Sequence, residues 1–357
     1  LFAARDRLGE KPFKYAFTEK RFIFASELKA IRAYDSSFNV VDWQAVDLAL
    51  TYRYVPAPYT GFSGIAVLPP GSCLRWHAGK VSVERYWHPA RFASEKNISY
   101  SEAKKEMWEL FLDSVRLRLM SDVPLGVFLS GGLDSSSVIA AMAELGVSDI
   151  RTFSVGFKDR PDSETPFAEM VAKRYGTVHT NIIIDPKIIE SVRDLVPQYE
   201  QPFFDNSAVP ILAMAKETKQ HATVILTGDG GDEVLGGYPN YLYYRFLSRI
   251  QALPPSVRDA CTDILFAFGK MTGNFGIKKA AYRSEVLAKD MVSAYVDYYG
   301  IWKERLPKTS FYLTKEDLYT SDMKSRVSLS AADMCMRDWL SFSRVPRYGA
   351  MNRAMLA

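Results

Sequence analysis

The chain has 357 residues, 48% hydrophobic and 24% charged, a balance that fits an ordinary globular protein with room for two domains. Its 45 Lys and Arg against 41 Asp and Glu leave a net charge of +4 with no basic cluster, so charge gives no argument for nucleic acid. No apolar run approaches the roughly 20 residues of a membrane span, and Cys73, Cys261 and Cys335 are too scattered for a zinc or redox motif and fit a reducing compartment.

Residues 1–89 are rich in short strands and turns. Phe2-Ala3-Ala4 leads into the polar run Arg5-Asp6-Arg7-Leu8-Gly9-Glu10-Lys11-Pro12, and Tyr15-Ala16-Phe17 and Phe22-Ile23-Phe24 flank a turn at Glu19-Lys20, which predicts a hairpin. Phe24-Ala25-Ser26-Glu27-Leu28-Lys29-Ala30 completes this stretch. Proline clusters at Pro56 and Pro58, then at Pro69 and Pro70, predict loops and a linker before Arg85-Tyr86-Trp87.

Residues 99–120 read as one helix, with Ser101 as N-cap, Glu102 and Glu106 in its first turns, and Ala103, Met107, Leu110, Phe111, Val115 and Leu119 as its core stripe. The apolar run 125–129 predicts a buried strand. It passes without a gap through Ser130-Gly131-Gly132-Leu133-Asp134-Ser135-Ser136 into a helix marked by Val138, Ile139, Ala140, Met142 and Leu145. Gly131 and Gly132 allow a tight turn and close approach of a ligand, and Ser130, Ser135 and Ser136 set hydroxyls beside the free amides of the helix start. That is an anion site. No Gly-Lys-Ser/Thr closes it, so it is not a Walker A loop. Asp134 would repel phosphates unless a divalent cation lay between, which makes it a magnesium ligand; the bland alternative is a glycine-bearing strand-to-helix turn.

A strand at 151–157, a polar stretch at 158–165, a helix at 166–175 and a strand at 178–184 predict a parallel sheet with right-handed crossovers. Ligands of such sheets bind past the carboxyl ends of the strands, the rim that carries Ser130 and Gly156. A further strand at 222–226 ends in Thr227-Gly228-Asp229-Gly230-Gly231-Asp232-Glu233-Val234-Leu235-Gly236-Gly237-Tyr238. Either this is a solvated flexible loop, or Asp232 faces Asp134 across a nucleotide and the two carboxylates share magnesium. Before it, 199–210 carries Phe203 and Phe204, which fit packing or a pocket equally. Beyond it, Tyr241, Tyr243, Tyr244, Phe246, Tyr295, Tyr298 and Tyr299 read as helix core rather than a stacking platform. The chain starts inside a structured segment and stops within the helical pattern 351–357, so the expectation is a fragment cut at both ends.

Ser-Gly-Gly-Leu-Asp-Ser at 130–135 resembles the pyrophosphate loop of the N-type ATP pyrophosphatases, which cut ATP between the α and β phosphates. Arg5–Pro12 and Phe24–Ala30 resemble the end of the class II glutamine amidotransferase domain of asparagine synthetases, and 54–62, 68–72 and 85–87 resemble that family's inter-domain connection. Thr227–Glu233 resembles the family's second signature, with Asp229 where the best known members have Glu, which leaves the acceptor open. The segment 199–210 resembles one near the acceptor pocket, and 338–357 resembles a family helix with Asn352 in place of Asp.

The resemblance implies an α/β fold: a parallel doubly wound sheet of the adenine nucleotide alpha hydrolase type at 91–357, truncated at its C-terminus. The C-terminal strands of an N-terminal nucleophile-type glutaminase domain and a linker would precede it at 1–90. It also implies a cytoplasmic ligase that uses ATP and Mg2+ to convert L-aspartate to L-asparagine with ammonia from L-glutamine, with no nucleic-acid or membrane partner, and it suggests a homodimer. Carried over residue by residue, Leu129, Val155 and Gly228 would meet adenosine through the backbone. Ser130, Gly131, Gly132, Asp134, Ser135 and Ser136 would meet the phosphates, and Asp134 and Asp232 would hold magnesium. Asp229 and Asp232 would be catalytic, Asp229 by positioning the acceptor or shuttling a proton. The glutaminase nucleophile would be a cysteine upstream of Leu1, and a Glu-x-Arg-x-Pro-Phe-Leu-Asp motif and a catalytic lysine would follow Ala357. A sugar-acid or secondary-metabolite acceptor, a lactam- or peptide-cyclising reaction, and a non-catalytic nucleotide-binding module stand as alternatives.

Overall fold

The structure is a computed structural model that describes residues 1–88, 98–157, 164–184, 192–205, 207–238 and 252–272. The expected boundary at 90/91, the polar stretch 158–163, the aromatics from Tyr241 to Tyr299 and the terminal pattern at 338–357 lie outside the described residues.

The first part of the chain forms β1 (Phe2–Ala4), β2 (Lys14–Phe17), β3 (Phe22–Ala25), α1 (Leu28–Tyr34), α2 (Trp43–Tyr52), β4 (Ala66–Val67), β5 (Ser72–His77) and β6 (Lys80–Arg85). They make two antiparallel sheets, ordered β1-β5-β6 and β3-β2-β4. The predicted hairpin is present: Phe17 stands opposite Phe22, and the Thr18 amide donates to the Arg21 carbonyl at 2.8 Å. Alternation along β2 sends Tyr15 to one cluster with Leu68 and Leu74, and Ala16 to another with Leu28, Ile31, Phe38 and Ile65. The helices α1 and α2 carry no strong periodic signal, because α1 spans only two turns and leans on the β2–β3 sheet; α2 is capped by the Asp42 side chain, which accepts from the Ala45 amide at 3.1 Å.

The polar run after β1 is a structural knot. The Arg5 guanidinium donates to the carbonyls of Lys11 at 2.8 Å, Leu68 at 2.7 Å and Gly9 at 2.7 Å. The Asp6 carboxylate accepts the amides of Glu10 at 2.8 Å and Lys11 at 3.0 Å. Tyr86 closes it from outside by donating its hydroxyl to the Arg5 carbonyl at 2.7 Å.

The second part is α3 (Tyr100–Arg118), β7 (Leu125–Phe128), α4 (Leu133–Glu144), β8 (Arg151–Phe157), α5 (Thr165–Tyr175), β9 (Val178–Ile184), α6 (Val192–Tyr199), α7 (Ala208–Thr218), β10 (Val224–Leu226) and α8 (Gly231–Leu235), followed by α9 (Pro255–Thr272). All pairings among its four strands are parallel, in the order β10-β7-β8-β9. Strand alternation divides the core between the faces of the sheet. Val127 and Leu129 pack with Val115, Ile139, Met142, Ala168 and Ala172 of α3, α4 and α5, whereas Phe153, Ile182, Ile184 and Ile225 pack with Ala213 of α7. This is the expected doubly wound parallel sheet.

Two expectations for α3 need correction. Ser99, not Ser101, is the N-cap: Ser99 and Glu102 form a capping box, with the Ser99 amide donating to Glu102 at 2.9 Å and the Glu102 amide to Ser99 Oγ at 3.3 Å. The core stripe is rotated as well. Met107 and Leu110 are exposed, and Trp108, Phe111, Leu112, Val115 and Leu119 face the core. The physical reason is Trp108: its ring fills the seam against α4, and its Nε1 donates to Glu144 at 3.0 Å.

Candidate functional site

The order β10-β7-β8-β9 reverses direction at β7, since the chain runs outward through β8 and β9 and then returns to the other side as β10. A crevice opens past the carboxyl ends of strands at such a reversal. The loops that leave β7 and β10 border it, and they are the two glycine-rich stretches singled out from sequence.

The turn after β7 is built from its own polar atoms and from α5. Ser135, 7% exposed, shares a hydrogen bond with Ser130 Oγ at 3.0 Å, accepts from the Ser130 amide at 3.2 Å and donates to the Gly132 carbonyl at 3.3 Å. Ser130 Oγ also accepts the Gly132 amide at 3.2 Å. Gly131 holds φ at +81°, and a Cβ there would lie 2.5 Å from backbone of Phe167, so glycine is required both for the turn and for the approach of α5. α4 then starts at Leu133 with its first-turn amides facing out of the helix end. Ser136 Oγ is buried and has no hydrogen-bond partner among the described residues. A buried unpaired hydroxyl is costly, and it marks where a polar ligand atom would fit.

The loop after β10 folds directly onto this turn. A Cβ on Gly228 would lie 2.7 Å from the Ser135 amide nitrogen, and one on Gly231 would lie 2.5 Å from Asp134 Oδ2. Only a chain without side chains at these positions can come so close. The five-residue α8 begins at Gly231 between left-handed Gly230 and Gly236, and it carries Asp232 toward Asp134. Burial, and then the Asp232 charge, push the Asp134 carboxyl above its ordinary value. Two carboxylates converge here beside helix-start amides.

The remaining candidates fall around this pair. Leu129 is 1% exposed, and its amide continues the sheet by donating to the Phe153 carbonyl at 2.8 Å. β8 pairs with β7 only as far as Phe153, so Val155 projects past the end of β7 on one side while Gly228 follows β10 on the other. Asp229 is exposed on the loop crest. Among the described residues no group of three or more His, Cys, Asp or Glu converges, so a cation here would have the two aspartates as its protein ligands. That set fits Mg2+, which keeps several waters and takes further oxygens from phosphates.

Sequence reasoning passed over two supports. Glu233 is 3% exposed and accepts from the Tyr238 hydroxyl at 3.0 Å, bracing the loop from behind across Gly236 and Gly237. Phe167 and Ala168 back Gly131. A glutamate and a tyrosine bracketing paired glycines was the available signal for the first; the second is a tertiary contact with no local signature.

Comparison with known proteins identifies the family. The family model described as Asparagine synthase matches residues 106–356, and that of a glutamine amidotransferase domain matches residues 1–87. A putative glutamine-hydrolysing asparagine synthetase of Methanocaldococcus jannaschii is 35% identical over 266 residues, 72% of this chain and 51% of that protein. Asparagine synthetase 1 of Bacillus subtilis is 32% identical over 262 residues, 72% of this chain and 40% of its own length. An amidase of Gibberella zeae is 29% identical over 297 residues, 78% of this chain and 44% of that protein. The chain thus spans about half, or less, of the length of the curated relatives it matches.

Proposed function

Because this chain belongs to the asparagine synthase family, we propose that it is the nucleotide-handling part of an ATP-dependent amidotransferase that converts L-aspartate to L-asparagine with nitrogen from glutamine. Residues 1–90 would be the end of the glutaminase domain with its linker and 91–357 the synthetase domain, in a cytoplasmic enzyme whose other substrates are ATP and glutamine or ammonia. The observation that carries the reading is the convergence of Asp134 and Asp232 beside the start of α4, from loops that follow neighbouring parallel strands.

In this reaction an oxygen of the acceptor β-carboxylate attacks the α phosphorus of ATP. The bond to the α–β bridging oxygen breaks, and pyrophosphate leaves with the electron pair. Ammonia then attacks the carbonyl carbon of the β-aspartyl-AMP mixed anhydride, AMP departs, and a proton is lost. The first-turn amides of α4, the amide of Gly131 and the Ser136 hydroxyl would receive the pyrophosphate oxygens, with Gly132, whose amide is held by Ser130 Oγ, giving the backbone room to approach them. Ser130 and Ser135 shape the loop, and Ser135 would meet phosphate through its amide because its hydroxyl is engaged within the turn. Asp134 and Asp232 would hold magnesium, which when bound neutralises charge on the leaving group. Leu129 would offer its carbonyl to the adenosine, with Val155 and Gly228 on either side, and Asp229 would position the acceptor.

A second reading keeps the site and changes the acceptor to another carboxylate, such as a sugar acid or a secondary metabolite. The short Asp229 in the second motif and the similarity to an amidase favour it. The deciding assay is pyrophosphate release by the full-length protein with Mg-ATP, ammonia and L-aspartate, with Asp134→Ala as control. Release that requires aspartate and disappears in the control is expected; Mg-ATP binding without aspartate-dependent release moves the assignment to the second reading.

A further inference from the structure

Glu200 follows the last residue of α6 and takes a left-handed backbone, φ +63°. Helix ends favour glycine there, so a glutamate at that position is held by contacts outside its own helix. Its side chain is 2% exposed. The carboxylate accepts the amides of Leu28 at 3.0 Å and Lys29 at 2.8 Å at the start of α1, and the Lys14 ammonium lies 3.6 Å away. Lys14 is buried too and donates to the Ser26 carbonyl at 2.7 Å. A charge from the second part of the chain is therefore enclosed by two segments of the first, β2 and the start of α1.

The following residues continue the attachment. Gln201 Oε1 accepts the Gly61 amide at 3.2 Å, and the Phe204 amide donates to the Arg53 carbonyl at 3.2 Å. The rings of Tyr199 and Phe203 stack with centroids 4.1 Å apart, which fixes the course of the chain between them. The same stretch then reaches Asp205, whose carboxylate accepts the Ser207 amide at 2.9 Å and hydroxyl at 2.6 Å and sets the start of α7. From α7 the chain enters β10 and the loop that carries Asp229 and Asp232.

We propose that Glu200 is a positioning residue that latches the segment 201–205 to the N-terminal part of the chain, so that seating of that part sets the register of α7 and of the loop beyond β10. The physical basis is mutual need. A buried carboxylate requires the α1 amides and the Lys14 charge, and Lys14 in turn requires the carboxylate. Coupling of this kind acts in both directions. The kinetic arm of the test rests on the function proposed above; the structural arm does not.

Hydrogen exchange by mass spectrometry on the full-length protein, wild type against Glu200→Ala and Glu200→Gln, decides it. Loss of the charge-assisted bonds is expected to raise exchange in Glu200→Ala by about tenfold both at 26–32 and at 207–212, with 133–144 unchanged. The KM for the acceptor should rise while that for ATP stays put, and Glu200→Gln, which keeps a side-chain oxygen, should recover part of both effects. Should the alanine variant fail to fold, the glutamine variant carries the same comparison. Faster exchange at 26–32 with 207–212 unmoved would reduce Glu200 to a local helix cap and overturn the latch. A wild-type enzyme with no aspartate-dependent release would instead overturn the functional reading, and the exchange comparison would still stand.

Discussion

In the loop at 5–12 the Arg5 guanidinium reaches three backbone carbonyls and Asp6 takes two amides, so these two charged side chains are answered from within the fold. In the loop at 130–136 the balance is reversed. Ser130 and Ser135 close the turn, but Ser136 Oγ is buried without a partner, the amides at the start of α4 point away from the helix, and Asp134 is faced by a second carboxylate. Both loops are glycine-bearing, polar and rich in motif residues. A structural motif consumes its donors and acceptors; a ligand site holds some back at a cost in stability.

Substitutions in the two loops should therefore act on different quantities. The largest expected effect is at Asp232: Asp232→Asn should lower pyrophosphate release by about 10^3-fold, the scale of losing a metal that offsets charge on the leaving group. Its far-ultraviolet circular dichroism should match the wild type. Arg5→Ala should do the opposite, costing ~3 kcal/mol of stability, near one per carbonyl bond, in denaturant titration while leaving the Kd for Mg-ATP within twofold.

The serines sharpen the contrast within one loop. Ser135→Ala loses three hydrogen bonds and should destabilise by about 1–2 kcal/mol; Ser136→Ala removes an unpaired buried hydroxyl and should leave Tm level or slightly higher while weakening Mg-ATP binding by about tenfold. Calorimetry for Tm and titration for Kd check both.

The smallest effect concerns pH. The Asp134 carboxyl lies above its ordinary value in the fold, so the folded protein holds its proton to higher pH than the unfolded chain. Its contribution to stability is complete below the unfolded carboxylate value, about pH 4, and is lost as pH rises through the raised folded value. At neutral pH the unliganded protein should be slightly stabilised by Asp134→Asn, an effect that fades toward pH 4 and that melting curves across this range would show.

The two regions also differ in how far the sequence made them legible. The strand, turn and helix of 125–145 were readable because the motif and its supporting elements are contiguous, and the parallel sheet followed from strand and helix spacing. That Asp232 would stand near Asp134 was an expectation from chemistry, since a lone carboxylate beside phosphates needs a cation, and the fold does bring the two within electrostatic reach. The face of α3 was misread because both of its sides carry apolar residues, and only Trp108 packing on α4 decides between them. The tie from Arg5 to Leu68 and the attachment at Glu200 were not readable at all, because the partners Leu68, Leu28 and Lys14 lie far away in the chain.

The most direct test of the paired-loop site is calorimetric titration of the full-length protein with ATP, with and without Mg2+, in wild type and Asp134→Asn. The site described here predicts tight binding only with Mg2+ in the wild type, and loss of that dependence in the variant. Unchanged Mg-ATP affinity in Asp134→Asn would contradict it.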